Sequence, residues 1–196
     1  MKGKIWIRMG LLCIIIALLL SIYNLYHTWN AHIQSNLAVN EIIPSLEYEP
    51  LVQGEIEDYI LNPDMDLPKK EIDGKEYVGI LQIPVLNLEL PVLSQCTDSN
   101  LNIAPCRYTG TCYKSHFIIG AHNSYYHFGN IKQLKEGDNI VFIDMKDRVF
   151  EYQVVGIEIL MPNQGIELEN EDWDLSLFTC TWAGYSRVVV RCIKVG

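Results

Sequence analysis

None of the six cysteines in this 196-residue chain are spaced as Cys-x-x-Cys. A zinc site drawn from Cys96, Cys106, Cys112 and Cys192 with His116 and His122 therefore has no finger-type ligand spacing behind it. Positive charge is scarce, with 15 Lys and Arg against 24 Asp and Glu, which argues against a nucleic-acid partner. No internal repeat and no low-complexity tract occurs. Acidic residues are missing altogether through Tyr23. The small-x-small pattern of a signal-peptide cleavage site is also missing after the N-terminal apolar run, where bulky Tyr23, Tyr26 and Trp29 stand instead.

That run is the clearest positive feature. It extends from Met9 to Leu20, is prolonged by Ile22, Tyr23, Leu25 and Tyr26, and counted from Ile5 approaches the roughly 20 residues that span a bilayer. Lys2, Lys4 and Arg8 precede it, so the positive-inside rule keeps the N-terminus in the cytoplasm and sends the rest outside as a single-pass membrane protein. The exported part then carries a net charge of about −12. Residues 1–26 are expected to be tail and anchor. Residues 27–72 are expected to be a helical stalk or linker, with a helix near Val52 to Leu61 and a boundary at the turn-rich Asn62-Pro63-Asp64-Met65-Asp66-Leu67-Pro68. Residues 73–196 suffice for one modest core.

From Lys75 onward short strands follow at short intervals: Tyr77 to Ile83, Leu86 to Val92, His116 to Ala121, Asn139 to Ile143 and Val149 to Ile159. Two more flank the loop Thr181 to Ser186, one ending at Cys180 and one beginning at Arg187. At least seven strands with few helices argue for a mostly β barrel or sandwich. At the mouth of the last hairpin Cys180 and Arg187 can sit close together. A guanidinium there favours a thiolate, or the oxyanion formed when a thiolate attacks a carbonyl. Arg191 lies on the same face but about 13 Å further along the strand. On the hairpin alone, a core cysteine beside a surface arginine remains the other reading. His122 ends the apolar run Phe117 to Ala121, where an imidazole can carry protons for a cysteine nucleophile. His127, five residues on, is a decoy.

The ordered set Ile83-Pro84, Leu90-Pro91-Val92, strand-then-His122, Leu177-Phe178-Thr179-Cys180 and an arginine seven past the cysteine resembles the sortases, cysteine transpeptidases of the Gram-positive surface. The likeness covers about Tyr77 to Lys194. It implies a closed eight-stranded β-barrel with short helices, preceded by the transmembrane helix, and a catalytic trio of Cys180, His122 and Arg187. It also implies substrate-binding roles for Ala104, Thr179, Thr181 and Trp182. The implied reaction cleaves an LPxTG-like C-terminal sorting signal of a surface protein and passes the acyl group to an amine of a peptidoglycan precursor or a pilin. Met161 to Asp172 is too short for the long helical insertion of class B, although Ile103 to Tyr108 and Phe128-Gly129-Asn130 look class B-like. The absence of an apolar span after Arg191 and of an Asp-Pro-aromatic lid motif departs from class C. A housekeeping or class D-like enzyme fits best.

No cofactor is implied, and one metal is weighed. Glu167, Glu169, Glu171, Asp172 and Asp174 form an acidic run in the loop where some class A sortases bind calcium, although such a run is usually a solvated face. Outside the membrane there are five cysteines, a parity consistent with two disulfides and one free thiol, while buried free thiols remain the alternative for Cys96 and Cys192. The function expected from another class is an exported β-domain that binds a surface partner without catalysis. Among enzymes the rival is a purely hydrolytic thiol peptidase.

Overall fold

A computed structural model describes residues 2–45, 56–161, 163, 165–170, 173–181 and 184–195. Its first element follows from the apolar run: α1 (Lys2–Ile42) is one unbroken helix of 41 residues, long and apolar enough to cross a membrane. Pro44 stands two residues past its end, where the ring disfavours helical continuation. Next come α2 (Asp58–Leu61), β1 (Lys70–Ile72), β2 (Lys75–Ile83), β3 (Leu88–Leu93), α3 (Asp98–Leu101), β4 (Cys106–Thr109) and β5 (Phe117–Gly120). The chain closes with β6 (Asn139–Asp144), β7 (Val149–Leu160), α4 (Gly165–Asn170), β8 (Leu175–Cys180) and β9 (Arg187–Lys194).

The sheet runs β1-β2-β3-β4-β5-β8-β9-β7-β6, and β6 pairs back onto β2. Eight strands, β2 to β9, therefore close a barrel, and β1 is a short ninth strand added at β2. The barrel expected from the resemblance is the one found. Alternation fills it: in β6 every second residue is buried, and Leu81, Ile83, Phe117, Ile119, Phe142, Tyr152, Leu177 and Val190 join one core. Gly79 is required at the closing seam, because a Cβ there would lie 2.3 Å from the Ile143 carbonyl oxygen.

The stretch expected to be a stalk does more than space. In α1, Ser35, Ala38, Val39 and Ile42 are buried, and Ala38 and Ile42 share a second cluster with Ile72, Tyr77, Ile80, Leu93, Ala104 and Cys106. Leu67 enters the barrel core, with Tyr59 and Met65 packed against it. Arg148, nearly buried, donates from Nε to Asp144 at 2.7 Å, pairs with Asp58 and lies over the rings of Tyr113 and Tyr59. This pins α2 to the β6–β7 turn. The helix expected near Val52 to Leu61 is α2, and residues 52–55 lie outside those described. The expected boundary at 72 is thus not a packing boundary, since apolar side chains on both sides of it share one core.

Candidate active site

The site forms where three strands end together. β5 and β8 are parallel neighbours with Gly120 opposite Phe178, and the Ala121 N–H donates to the Phe178 carbonyl at 3.1 Å. His122 and Cys180 each stand two residues beyond that pair. They leave the barrel at one end, from strands about 4.8 Å apart. On the other side of β8, Cys180 pairs directly with Arg187 of β9, which puts their Cβ atoms about 5 Å apart on one face. The loop between them is tied by Thr181 N–H to the Ser186 carbonyl (2.7 Å) and by Gly184 N–H to the Thr181 carbonyl (2.8 Å). The expected hairpin and its register are therefore as observed.

Side chains beneath the trio explain its neighbours. Phe178 shares the face of Cys180, and the Arg187 guanidinium lies 5.6 Å from its ring centre, within cation–π range. That ring occupies the space over Gly120, where a Cβ would come within 2.6 Å of it. The carbonyl of His122 accepts from Ser124 N–H at 2.9 Å and Phe128 N–H at 3.2 Å, which curls the following loop under the histidine. Its Nε2 lies 3.1 Å from Asn102 Oδ1. Cys180 and His122 line one open cavity of about 620 Å³.

Asn102 was missed in the sequence because nothing about its position 20 residues before His122 marks it. It sits just past α3, on the loop closed by the Cys96–Cys106 disulfide. Because an amide oxygen only accepts, a hydrogen bond to it favours the Nε2–H tautomer, which donates, and holds the ring in place. We expect Asn102→Ala to lower turnover by about 10-fold, the scale of one lost hydrogen bond, and Asn102→Asp to restore most of it. The pH–rate profiles of the two variants on one substrate check this.

The expected substrate-binding residues fare differently. Ala104 is fully buried beneath α1, so it presents no surface to a ligand. Thr179 points to the opposite face from Cys180, is buried, and donates to the Ala121 carbonyl at 2.8 Å, tying β8 to β5. Strand alternation makes this unavoidable: a residue adjacent to an outward cysteine must face inward. Thr181 is half-buried, with its hydroxyl engaged by Ser186. Trp182 lies outside the described residues.

One disulfide forms, Cys96–Cys106, and Cys112 and Cys192 are free and buried, so the buried-thiol alternative holds for Cys192 and not for Cys96. Their parity allowed two bridges, but both thiols belong to the barrel core. Burial pushes the Cys192 thiol up to about 12 and Cys112 higher still, so neither serves as a thiolate. Cys13 and Cys180 are the exposed free thiols among the described residues. In the acidic run, Glu169 accepts from Tyr108 Oη at 2.7 Å and Asp174 from Lys194 N–H at 2.7 Å. Glu171 and Asp172 lie outside the described residues, and among those described no cluster of three or more metal-ligating side chains occurs.

His127 is no rival to His122. It is 2% exposed, and neither ring nitrogen has a hydrogen-bond partner among the described residues. Burial, then the neighbouring His122 and His32, holds it down to about 4 from 6.5; the nearby Ile103 backbone favours the charged ring but falls outside hydrogen-bond geometry. The unfolded chain therefore takes up a proton below about pH 6.5 that the folded chain refuses until about pH 4. Stability should be complete above pH 6.5 and fall by about 3 kcal/mol as the pH drops to 4. Denaturant unfolding at several pH values should show this loss, and His127→Gln should flatten it.

Residues 81–195 match the protein family described as the Sortase domain. Sortase A of Bacillus anthracis is 30% identical over 125 residues, which is 60% of this chain and 59% of that protein. Two solved structures share the fold. Sortase A from Corynebacterium diphtheriae has a TM-score of 0.55 at 20% identity, covering 62% of each chain. Sortase C from Clostridium perfringens SM101 has a TM-score of 0.55 at 22% identity, covering 72% of this chain and 77% of the other.

Proposed function

The chain belongs to the sortase family, and from that premise we propose that it is a membrane-anchored cysteine transpeptidase acting on a sorting signal of the LPxTG type. One observation carries the reading: Cys180 lies in register with Arg187 and shares a cleft with His122. In this reaction the Cys180 thiolate attacks the threonine carbonyl carbon, and Arg187 donates hydrogen bonds to the oxyanion that forms. His122 protonates the departing amine as the C–N bond breaks, leaving a thioester on Cys180. An incoming amine then attacks the thioester, gives its proton to His122, and releases the cysteine as product forms. The acceptor is an amine of a peptidoglycan precursor or a pilin. α1 crosses the cell membrane once, with its N-terminus in the cytoplasm and the barrel outside, as Lys2, Lys4 and Arg8 before the apolar run favour.

The test is incubation of the full chain, in detergent, with peptides carrying sorting signals, with and without an added amine. Cleavage that yields an amine adduct supports transpeptidation. Release of free acid alone, with amine in excess, would instead make the protein a thiol peptidase. No cleavage across a peptide library, together with a Cys180 that resists alkylation, would reduce it to a binding domain.

A further inference from the structure

We propose that α1 is the wall of the catalytic cleft as well as its anchor, and that it holds Cys180 and His122 at the level of the lipid headgroups. This rests on the readings above of α1 as a membrane span and Cys180 as the nucleophile. Two independent features of α1 converge on the same turns.

The first is where its apolar part ends. Ile7, Leu12, Ile15 and Leu20 point in different directions around the helix, and all are exposed. A helix apolar on all sides with none of the other described residues packed against it fits lipid. Trp6 stands near one end of the stretch and Tyr23, Tyr26 and Trp29 at the other. From Trp6 to Tyr26 the helix rises about 30 Å, the thickness of a bilayer's hydrocarbon core. Tryptophan and tyrosine collect at the two interfaces, so Tyr23 to Trp29 belong in the headgroup layer.

The second is what those turns touch. Tyr23, Asn24, His27, Thr28 and Ala31 line one side of the cavity that has Cys180 and His122 on the other. The residues that mark the outer membrane boundary are thus residues of the cleft. Their height cannot drift, because α1 is unbroken and its next turns are fastened to the barrel. The His32 ring stacks on Tyr126 at 4.0 Å, and Ser35, Ala38, Val39 and Ile42 are buried. Tyr125, on the rim of the same cavity, is 73% exposed and has the amphipathic character of an interfacial side chain. The surface that meets the bilayer is therefore this rim, and a peptide reaching Cys180 passes between α1 and the loop after His122 at the membrane surface.

The full-length Cys13→Ser protein in lipid nanodiscs tests this, since Cys180 is then the exposed free thiol. Cys180 is labelled with a thiol-reactive fluorophore, and phospholipids bearing a nitroxide either on the headgroup or deep in the acyl chain are added. Headgroup nitroxide should quench the probe at least twofold more than the deep one. A probe on Glu41→Cys in a Cys13→Ser, Cys180→Ala background, about 27 Å further along α1 than Tyr23, should be quenched by neither. Equal, negligible quenching at both sites overturns the placement. The wall is tested separately: Thr28→Trp should slow labelling of Cys180 by a water-soluble maleimide at least 10-fold, and Asn30→Trp should not. Unchanged labelling in Thr28→Trp overturns the wall. Neither readout needs a sorting peptide, so failure here is distinct from failure of peptide cleavage, which would strike the proposed reaction instead.

Discussion

Cys180→Ala should reduce acyl transfer to background, a fall of roughly 10⁶-fold on the scale seen when a protease nucleophile is removed. It should do so without loss of stability. The thiol is exposed at the end of β8, so its removal opens no cavity in the core. The other thiols of the barrel cannot take over. Cys96 and Cys106 are bonded to each other, and burial keeps Cys112 and Cys192 protonated. Steady-state rates on a sorting-signal peptide, read beside a thermal unfolding curve, check both halves. Turnover retained by the alanine variant would mean that the reaction does not pass through this cysteine.

Arg187→Lys and Arg191→Lys should fail in different ways. Both keep a positive charge, so net electrostatics cannot separate them. Arg187 faces Cys180 across the hairpin and is held over the Phe178 ring. Its planar fork can address an oxyanion with more than one donor, and a lysine ammonium cannot reproduce that geometry. The turnover rate should fall by about 10²-fold or more, with little change in KM or Tm. From the sequence, Arg191→Lys is expected to be nearly neutral, since it lies a strand segment away from Cys180. The structure changes that expectation. Arg191 is buried and donates from Nε to Glu158 at 2.6 Å and from Nη1 to Ser176 at 3.0 Å, and its guanidinium also reaches the carbonyls of Leu168 and Glu167. It clamps α4 onto β7 and β8. Lysine cannot serve four acceptors in that arrangement, and a loss of about 1–3 kcal/mol is expected, visible as a lowered Tm with turnover largely preserved at low temperature. A larger rate loss at Arg191 than at Arg187 would overturn both assignments.

The hairpin that pairs Cys180 with Arg187 was legible in the sequence because its signal is local. Two apolar runs, a loop containing Gly184 and strand alternation place Cys180 opposite Arg187 without knowledge of the rest of the chain. The same holds for α1, whose apolar run and leading cations speak for themselves. β4 escaped because Cys106-Arg107-Tyr108-Thr109 is short and mostly polar, with a single Cα partner on β3. What only the tertiary structure decided depends on contacts distant in the chain. The parallel pairing of β5 with β8 brings His122 beside Cys180 across 58 residues, and nothing in either strand's pattern names its parallel partner. Asn102 reaches His122 from another loop. Ala104 and Thr179 turn away from the cleft, one because α1 lies over it and the other because the strand alternates. The turns of α1 just beyond its apolar run become part of the cleft because the buried face that follows docks on the barrel. Local periodicity determines which residues form an element and which way they point, but only long-range packing, whose energy is shared among many weak contacts, decides which elements meet.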